Sequence, residues 1–380
     1  MNAVYLDHNA TAPIRPEALA AANAAMIAGG NPSSVHAAGR SSRARMEQAR
    51  TEVAELIAAP ASTVIFTSGG TEANALAIES AVATGSRRLI LSAIEHDAVL
   101  ETARASGAQV ELMPVDASGQ ADLAWLASRL DAWDAADGRP FVALMLANNE
   151  TGVLQPVAQA AVLVRKSEGW LHVDAVQAAG RIPVDSRALG ADTLAISSHK
   201  IGGPPGAGAL TFGPRATLVR RLHGGGQERG RRAGTENVPA IAGFGAAAAQ
   251  ALAELGSAAE QAAWRDAAER ALVEAGAVIM GQDAPRLPNT LCFAGPGFPA
   301  ELQVMMLDLA GVMVSAGSAC SSGKVKASRV LEAMGQTELA GAAIRVSGGW
   351  STGAEDWKQM VEAWITAYDR HAARRRAPAA

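Results

Sequence analysis

Five polar stretches each follow a short apolar run. Thr67-Ser68-Gly69-Gly70-Thr71-Glu72 comes after Val64–Phe66, Glu95-His96 after Leu89–Leu91, and Asn148-Asn149-Glu150-Thr151-Gly152 after Phe141–Leu146. Asp174 and Gln177 come after Leu171–Val173, and Ser197-Ser198-His199-Lys200 after Thr193–Ile196. The first stretch reads as a glycine turn opening a helix, whose free amides suit a phosphate; Ser68 or Thr71 as an ordinary N-cap explains the same residues. Each of the others, alone, is an ordinary loop polar. In succession at the carboxyl edge of one predicted sheet, they describe a site. A phosphate cradle, an acid and a lysine together suit pyridoxal phosphate: Lys200 can hold the aldehyde as a Schiff base, and the Asp174 carboxylate can keep the pyridine nitrogen protonated so that the ring withdraws electrons. Asp174 and Lys200 are expected one strand–helix–strand unit apart, on neighbouring edges of the sheet. No GxxxxGK[ST] loop and no His-Glu-x-x-His helix occurs, Gly206-Ala207-Gly208 lacks the third glycine of a dinucleotide fingerprint, and no metal site is expected.

The elements that must position these residues follow from the apolar runs. Besides the five above, Val110–Met113 and Ala209–Phe212 read as strands, and the near-continuous apolar character predicts burial on both faces. Glu72–Ala83, Ala98–Ser106, Leu123–Ala132 and Val157–Ser167 read as helices between them, the βα alternation of a mostly parallel, seven-stranded sheet. After Gly256 a polar helix, Ala258–Ala275, leads into strands Val278–Met280, Asn289–Phe293, Val312–Ser315 and Ile344–Val346. Helices are expected at Glu301–Ala310, Ser328–Met334 and Asp356–Tyr368. The expected organisation is a large α/β domain over 14–256, with 1–13 and 257–380 forming a smaller α+β domain. Pro239–Leu252, alanine- and glycine-rich and short of the ~20 residues a membrane span needs, reads as a buried helix. Arg370–Ala380, with three consecutive arginines, reads as a frayed terminus rather than a basic arm.

The 380 residues are 49% hydrophobic, 18% charged and 4% aromatic, which suits a globular protein with a large core and excludes disordered and fibrous classes. With 33 basic against 37 acidic side chains the formal charge is −4, so neither nucleic acid nor an anionic membrane is the expected partner. Two cysteines cannot build a disulfide framework or a four-ligand zinc site, and the N-terminus has no signal-peptide pattern; a reducing, cytoplasmic setting is expected.

Tyr5-Leu6-Asp7-His8-Asn9-Ala10-Thr11, Asn31-Pro32-Ser33-Ser34, Thr67 to Glu72, His172-Val173-Asp174-Ala175-Val176-Gln177, Ser198 to Pro204 and Gly317-Ser318-Ala319-Cys320 resemble cysteine desulfurases of the bacterial nitrogen-fixation and iron–sulfur-assembly type, within the class V aminotransferases of fold-type-I pyridoxal phosphate enzymes. The resemblance runs from about Val4 to Tyr368. It implies Lys200 as the Schiff-base lysine, Asp174 on the pyridinium nitrogen, Gln177 and Asn149 at the ring, and His96 stacked over it. Gly70, Thr71, Ser197 and His199 would contact the phosphate. Gly224 to Thr235 resembles the loop whose threonine, here Thr235, reaches the phosphate of the neighbouring subunit in a homodimer. As a basic Gly/Arg loop the same segment could bind nucleic acid, but no interleaved aromatics support that. Arg345 matches the arginine that grips the substrate carboxylate, a task for a bidentate guanidinium, with Asn149 as a further substrate-binding residue; the bland reading of Arg345 is a surface salt bridge. The pattern departs at Gly348-Gly349-Trp350, where glycine and a basic or polar residue are expected, and at Pro205, where lysine is expected.

The two cysteines differ in setting. Cys292, within an apolar strand, reads as a small buried hydrophobe. Cys320 lies among small, flexible residues with Lys324 and Lys326 nearby to favour thiolate. The implied reaction takes sulfur from L-cysteine, giving L-alanine and a persulfide on Cys320, with Lys200 moving the α-proton and His96 as a further proton carrier. The persulfide would pass to an iron–sulfur scaffold or other acceptor, with nitrogenase maturation, housekeeping assembly and tRNA thiolation all left open. Aminotransferase, kynureninase-like and selenocysteine lyase activities share the cofactor residues without needing Cys320. A non-catalytic docking subunit would need neither Lys200 nor Asp174.

Overall fold

A computed structural model describes residues 3–316 and 327–376. Its largest sheet has seven strands, in the spatial order Val64–Thr67, Gly208–Phe212, Thr193–Ser197, Trp170–Asp174, Phe141–Ala143, Arg88–Ser92 and Gln109–Met113. Gly208–Phe212 alone runs antiparallel to its neighbours; the other pairings are parallel. The α/β architecture and the mostly parallel sheet therefore follow the sequence reading.

Alternation along the strands explains why they are apolar throughout. Val142, Leu171 and Val173 join one core with Ile241, Phe244 and Ala247 of the helix Val238–Ala253. Phe141, Ala143 and Trp170 point the other way, into a core with Ile78, Val99 and Leu100 from the helices Gly70–Ala83 and Asp97–Ala105. Helices thus cover both faces. The stretch Val238–Glu274 is long and apolar enough by composition to cross a membrane, but half of its most apolar window is buried inside the protein, as expected of a core helix.

A further core joins the N-terminal segment to much of the chain after Ala258. Ser315–Ala316, Ala343–Ser347, Thr290–Ala294 and Val278–Ile279 form a four-stranded antiparallel sheet. Val4–Tyr5 pairs in parallel with Val312–Met313. Leu6 packs there with Leu272, Phe293, Ile344 and Trp364, bringing the N-terminal segment against strands made some three hundred residues later.

Four expectations change. The run Phe141–Leu146 is a strand only to Ala143, because Met145 turns its N–H onto the Glu95 carboxylate at 2.6 Å. The connection from Asp174 to Thr193 consists of turns and no helix; Gly180, at φ 75°, and Pro183 interrupt any helical run there. Two helices, Pro16–Ala28 and Ala37–Leu56, were not expected at all. The C-terminal helix runs Ala354–Arg376, and Arg375 Nη1 donates to the Gly297 carbonyl at 3.0 Å, so the basic stretch continues a helix instead of fraying from Arg370.

Candidate active site

The carboxyl ends of the parallel strands open on a cavity of about 640 Å³, within the range of cofactor sites. Gly70, Thr71, His96, Asn149, Asp174, Gln177, Ser197, His199, Lys200 and Arg345 all line it. These are the residues singled out from the sequence, except Thr235 and Cys320. Thr235 is exposed and does not line this cavity; Cys320 lies outside the described residues.

Lys200 ends a short turn after the strand Thr193–Ser197, and its Nζ donates to the carbonyls of Asn9 at 2.6 Å and Ala10 at 2.7 Å. Burial, and then the charges of Arg345 and Arg181, push its pKa down to about 7, so a large share is neutral amine near physiological pH. Burial pushes His199 down to about 4, reinforced by Lys200 and Arg181, and its Nδ1 lies 3.2 Å from Thr11 Oγ1. Asp174 ends its strand with both oxygens held: Oδ2 accepts from Asn74 Nδ2 at 2.7 Å, and Oδ1 from the Val176 N–H at 2.9 Å. His96 caps the helix Asp97–Ala105 by accepting the Ala98 N–H on Nδ1 at 3.0 Å, so the neutral ring carries its proton on Nε2.

Arg345, from the strand Ala343–Ser347, crosses to the same cavity. Its Nη2 pairs with Asp7 at 2.7 Å and its Nη1 donates to the Asn149 carbonyl at 3.1 Å, while Nε is buried without a partner among the described residues. The salt bridge exists, but it is buried and not a surface pair.

Several residues at the site carried no role in the sequence reading. The Asn9 carbonyl accepts from both Gln177 Nε2, at 3.0 Å, and Lys200, and its side chain donates to the Asn149 carbonyl and Thr290 Oγ1, each at 3.1 Å. Arg181 is buried and, among the described residues, pairs with no carboxylate; it donates to Gln177 Oε1 at 2.5 Å, which orients the Gln177 amide, and burial pushes its pKa down to about 9. Glu95 is a second buried acid on the cavity wall. Burial, with the nearby Asp174 charge, raises its pKa to about 8, and its Oε2 has no partner among the described residues. A polar residue beside a candidate histidine was the only signal for Glu95, and a loop position gave none for Asn9.

The aminotransferase class-V family model matches residues 4–360. The chain belongs to the class-V aminotransferase family. It is 41% identical over 367 residues to a cysteine desulfurase of Cereibacter sphaeroides, covering 93% of each chain. Its fold is similar to that of a NifS-like protein from Rickettsia africae, with a TM-score of 0.88 at 33% identity, over 97% of this chain and all of that one. SspA, solved in complex with cysteine, matches with a TM-score of 0.77 at 27% identity, over 90% of this chain and 98% of that one. Within the class-V family, the chain groups with the cysteine desulfurases.

Class-V enzymes imply pyridoxal phosphate, and the cavity suits it. Among the described residues, two buried polar atoms at its wall, Glu95 Oε2 and Arg345 Nε, lack partners, which favours a polar occupant. The first amides of the helix Gly70–Ala83 have no intrahelical acceptor and can face an anion. Close packing sets that turn: a Cβ on Gly208 would meet the Gly69 carbonyl carbon at 2.4 Å, so only glycine lets the antiparallel strand back it. Asp174 supplies an acid, and Lys200 a partly neutral amine.

One departure from the class-V desulfurase pattern, at Gly348-Gly349-Trp350, has local reasons. A Cβ on Gly349 would meet His8 Nδ1 at 2.0 Å, so glycine there makes room for the buried imidazole. Trp350 donates to the Pro13 carbonyl at 2.9 Å, with Arg15 over its ring at 5.2 Å. Pro205 is exposed, and nothing in the structure explains it. In the 224–235 loop, Glu228 is buried in a bidentate pair with Arg50, at 2.7 and 2.9 Å, and also accepts the Phe66 N–H at 3.1 Å. This ties the loop to the strand Val64–Thr67. Cys292 is fully buried and burial raises its thiol far above the ordinary range, which suits an inert core residue.

Proposed function

We propose that this chain is a pyridoxal-phosphate-dependent cysteine desulfurase that converts L-cysteine to L-alanine while Cys320 takes up the sulfur as a persulfide. The observation that carries the reading is the meeting, on one cavity, of a partly neutral Lys200, a doubly anchored Asp174 and a buried Arg345. The grouping with cysteine desulfurases supports the substrate.

Gly70, Thr71, Ser197 and His199 would hold the phosphate, Asp174 the ring nitrogen, and Gln177 the ring hydroxyl, its amide oriented by Arg181. Asn149 would contact the ring side. When bound, pyridoxal phosphate withdraws electrons from the substrate so that its α-proton and then its C–S bond become labile. Arg345 grips the L-cysteine carboxylate. Lys200, near half neutral at physiological pH, takes and returns the α-proton. His96, with its proton on Nε2, is a second donor at the cavity. The substrate sulfur bonds to the Cys320 sulfur as its bond to the β-carbon breaks, so atoms balance as L-cysteine plus thiol giving L-alanine plus persulfide.

Thr235, exposed and away from this cavity, fits a residue that serves the phosphate of a second copy in a homodimer. The persulfide would pass, in the cytoplasm, to an iron–sulfur scaffold or another sulfur-acceptor protein. Cys320→Ala should keep the yellow cofactor band and lose both persulfide and alanine formation. Unchanged alanine release from L-cysteine by that variant, or a keto acid as the product, would refute the reading.

A further inference from the structure

Behind Asp174, hydrogen bonds run inward in one line. Asp174 Oδ2 accepts from Asn74 Nδ2 at 2.7 Å, and Asn74 Oδ1 lies 2.9 Å from His172 Nε2. His172 Nδ1 lies 3.0 Å from Thr193 Oγ1, which also accepts from Trp170 Nε1 at 2.9 Å. Asn74, His172, Thr193 and Trp170 are each at most 1% exposed.

The two ends fix every proton between them. An indole N–H can only donate, and a carboxylate can only accept. Asn74 gives an N–H to Asp174, so its oxygen faces His172 and must receive a proton from Nε2. His172 Nδ1 is then bare and accepts the Thr193 hydroxyl proton, which leaves the Thr193 oxygen to accept from Trp170. Reversing any member would set two donors or two acceptors face to face in the core, a cost the folded state avoids. The placement follows from the elements. Asn74 lies four residues beyond Gly70 on the helix Gly70–Ala83, hence on the same face. His172 and Asp174 share one side of their strand, and His172 is in register with Thr193 on the next. Burial pushes the imidazole down to about 3, so it stays neutral at physiological pH.

We propose that Asn74 and His172 are positioning residues for Asp174, the line from Trp170 holding its carboxylate so that it cannot rotate away from a ring nitrogen in the cavity. A polarised chain strengthens the Asn74 donor that fixes the carboxylate in place. The proposal rests on the pyridoxal phosphate reading, so one arm of its test needs no cofactor.

In that arm, ¹⁵N NMR of cofactor-free protein with labelled histidine should show His172 neutral, with its proton on Nε2, from about pH 5 to 8. A proton on Nδ1, or titration in that range, would overturn the direction of the line. The second arm measures pyridoxal phosphate binding to cofactor-free protein, with thermal unfolding to confirm that each variant is folded. Asn74→Leu and His172→Phe should weaken binding about tenfold. His172→Gln, whose amide nitrogen can replace the Nε2 donor, should return to within about threefold of wild type. Equal affinity throughout, or a loss in His172→Gln as large as in His172→Phe, would overturn the proposal. Wild-type protein with the expected tautomer that binds no pyridoxal phosphate would refute the cofactor reading and, with it, the task assigned to the line.

Discussion

The Lys200 Nζ and the Asn9 carbonyl are 2.6 Å apart, and in that position burial, with the charges of Arg345 and Arg181, holds the amine's pKa near 7 instead of the ordinary 10.5. Covalent capture of added pyridoxal phosphate by cofactor-free protein should therefore rise with pH through about 7 and level off well below the ordinary lysine range. Replacing Arg181 with Met removes a cation that favours the neutral amine, so the midpoint should move up. Borohydride trapping at Lys200 across a pH series reads both; a midpoint left in place in Arg181→Met would remove Arg181 from the cause.

Glu95 gives a stability signature of opposite sense. Its pKa is raised from 4.5 to about 8, chiefly by burial, so the folded state holds a proton that the unfolded chain releases between those values. Its contribution is fully present below about pH 4.5 and lost as pH rises through about 8. Glu95→Gln, neutral throughout, should flatten that decline in urea unfolding of the cofactor-free protein, and parallel curves for the two proteins would show that Glu95 titrates normally.

Arg345 should be read in KM. Its guanidinium already touches Asp7 and Asn149, and a substrate carboxylate must share it. Arg345→Lys keeps the charge but loses the two-pronged geometry, and should cut kcat/KM for L-cysteine by roughly ten- to a hundredfold, mainly through KM. A fall confined to kcat would argue against carboxylate capture.

Gly349 should resist even alanine. A Cβ there would overlap His8 Nδ1 at 2.0 Å, and the imidazole is buried with little room to retreat. Gly349→Ala is expected to cost about 1–3 kcal/mol, seen as a lower urea midpoint. An unchanged midpoint would mean that His8 repacks freely.

The large sheet was legible because a strand covered on both faces is apolar at every position, and six of its seven runs read within a residue of the observed ends. The helices Pro16–Ala28 and Ala37–Leu56 were not, for different reasons. The first is so rich in alanine that it shows no apolar stripe, and the second carries Gly39, Ser41 and Ser42 near its start and buries the charged Arg50. Site residues at strand ends were equally legible, since topology brings such ends together. Asn9 and Arg181 were hidden because they act through a loop carbonyl and through the orientation of another side chain, neither of which leaves a mark in residue type. Asn74 and His172 looked like an ordinary helix polar and a strand histidine until their distances joined them.

Asn9 also sets an order on biosynthesis. Its amide N–H donates to Ser347 Oγ, 338 residues later in the chain, and its carbonyl awaits Lys200. At ~5–20 residues per second, a ribosome needs roughly 17–70 s to deliver that partner after Asn9 is made. The large sheet can assemble while the chain still emerges, but the wall that Arg345 gives the cavity arrives only when the strand Ala343–Ser347 has left the ribosome, so the scaffold of the site precedes its completion.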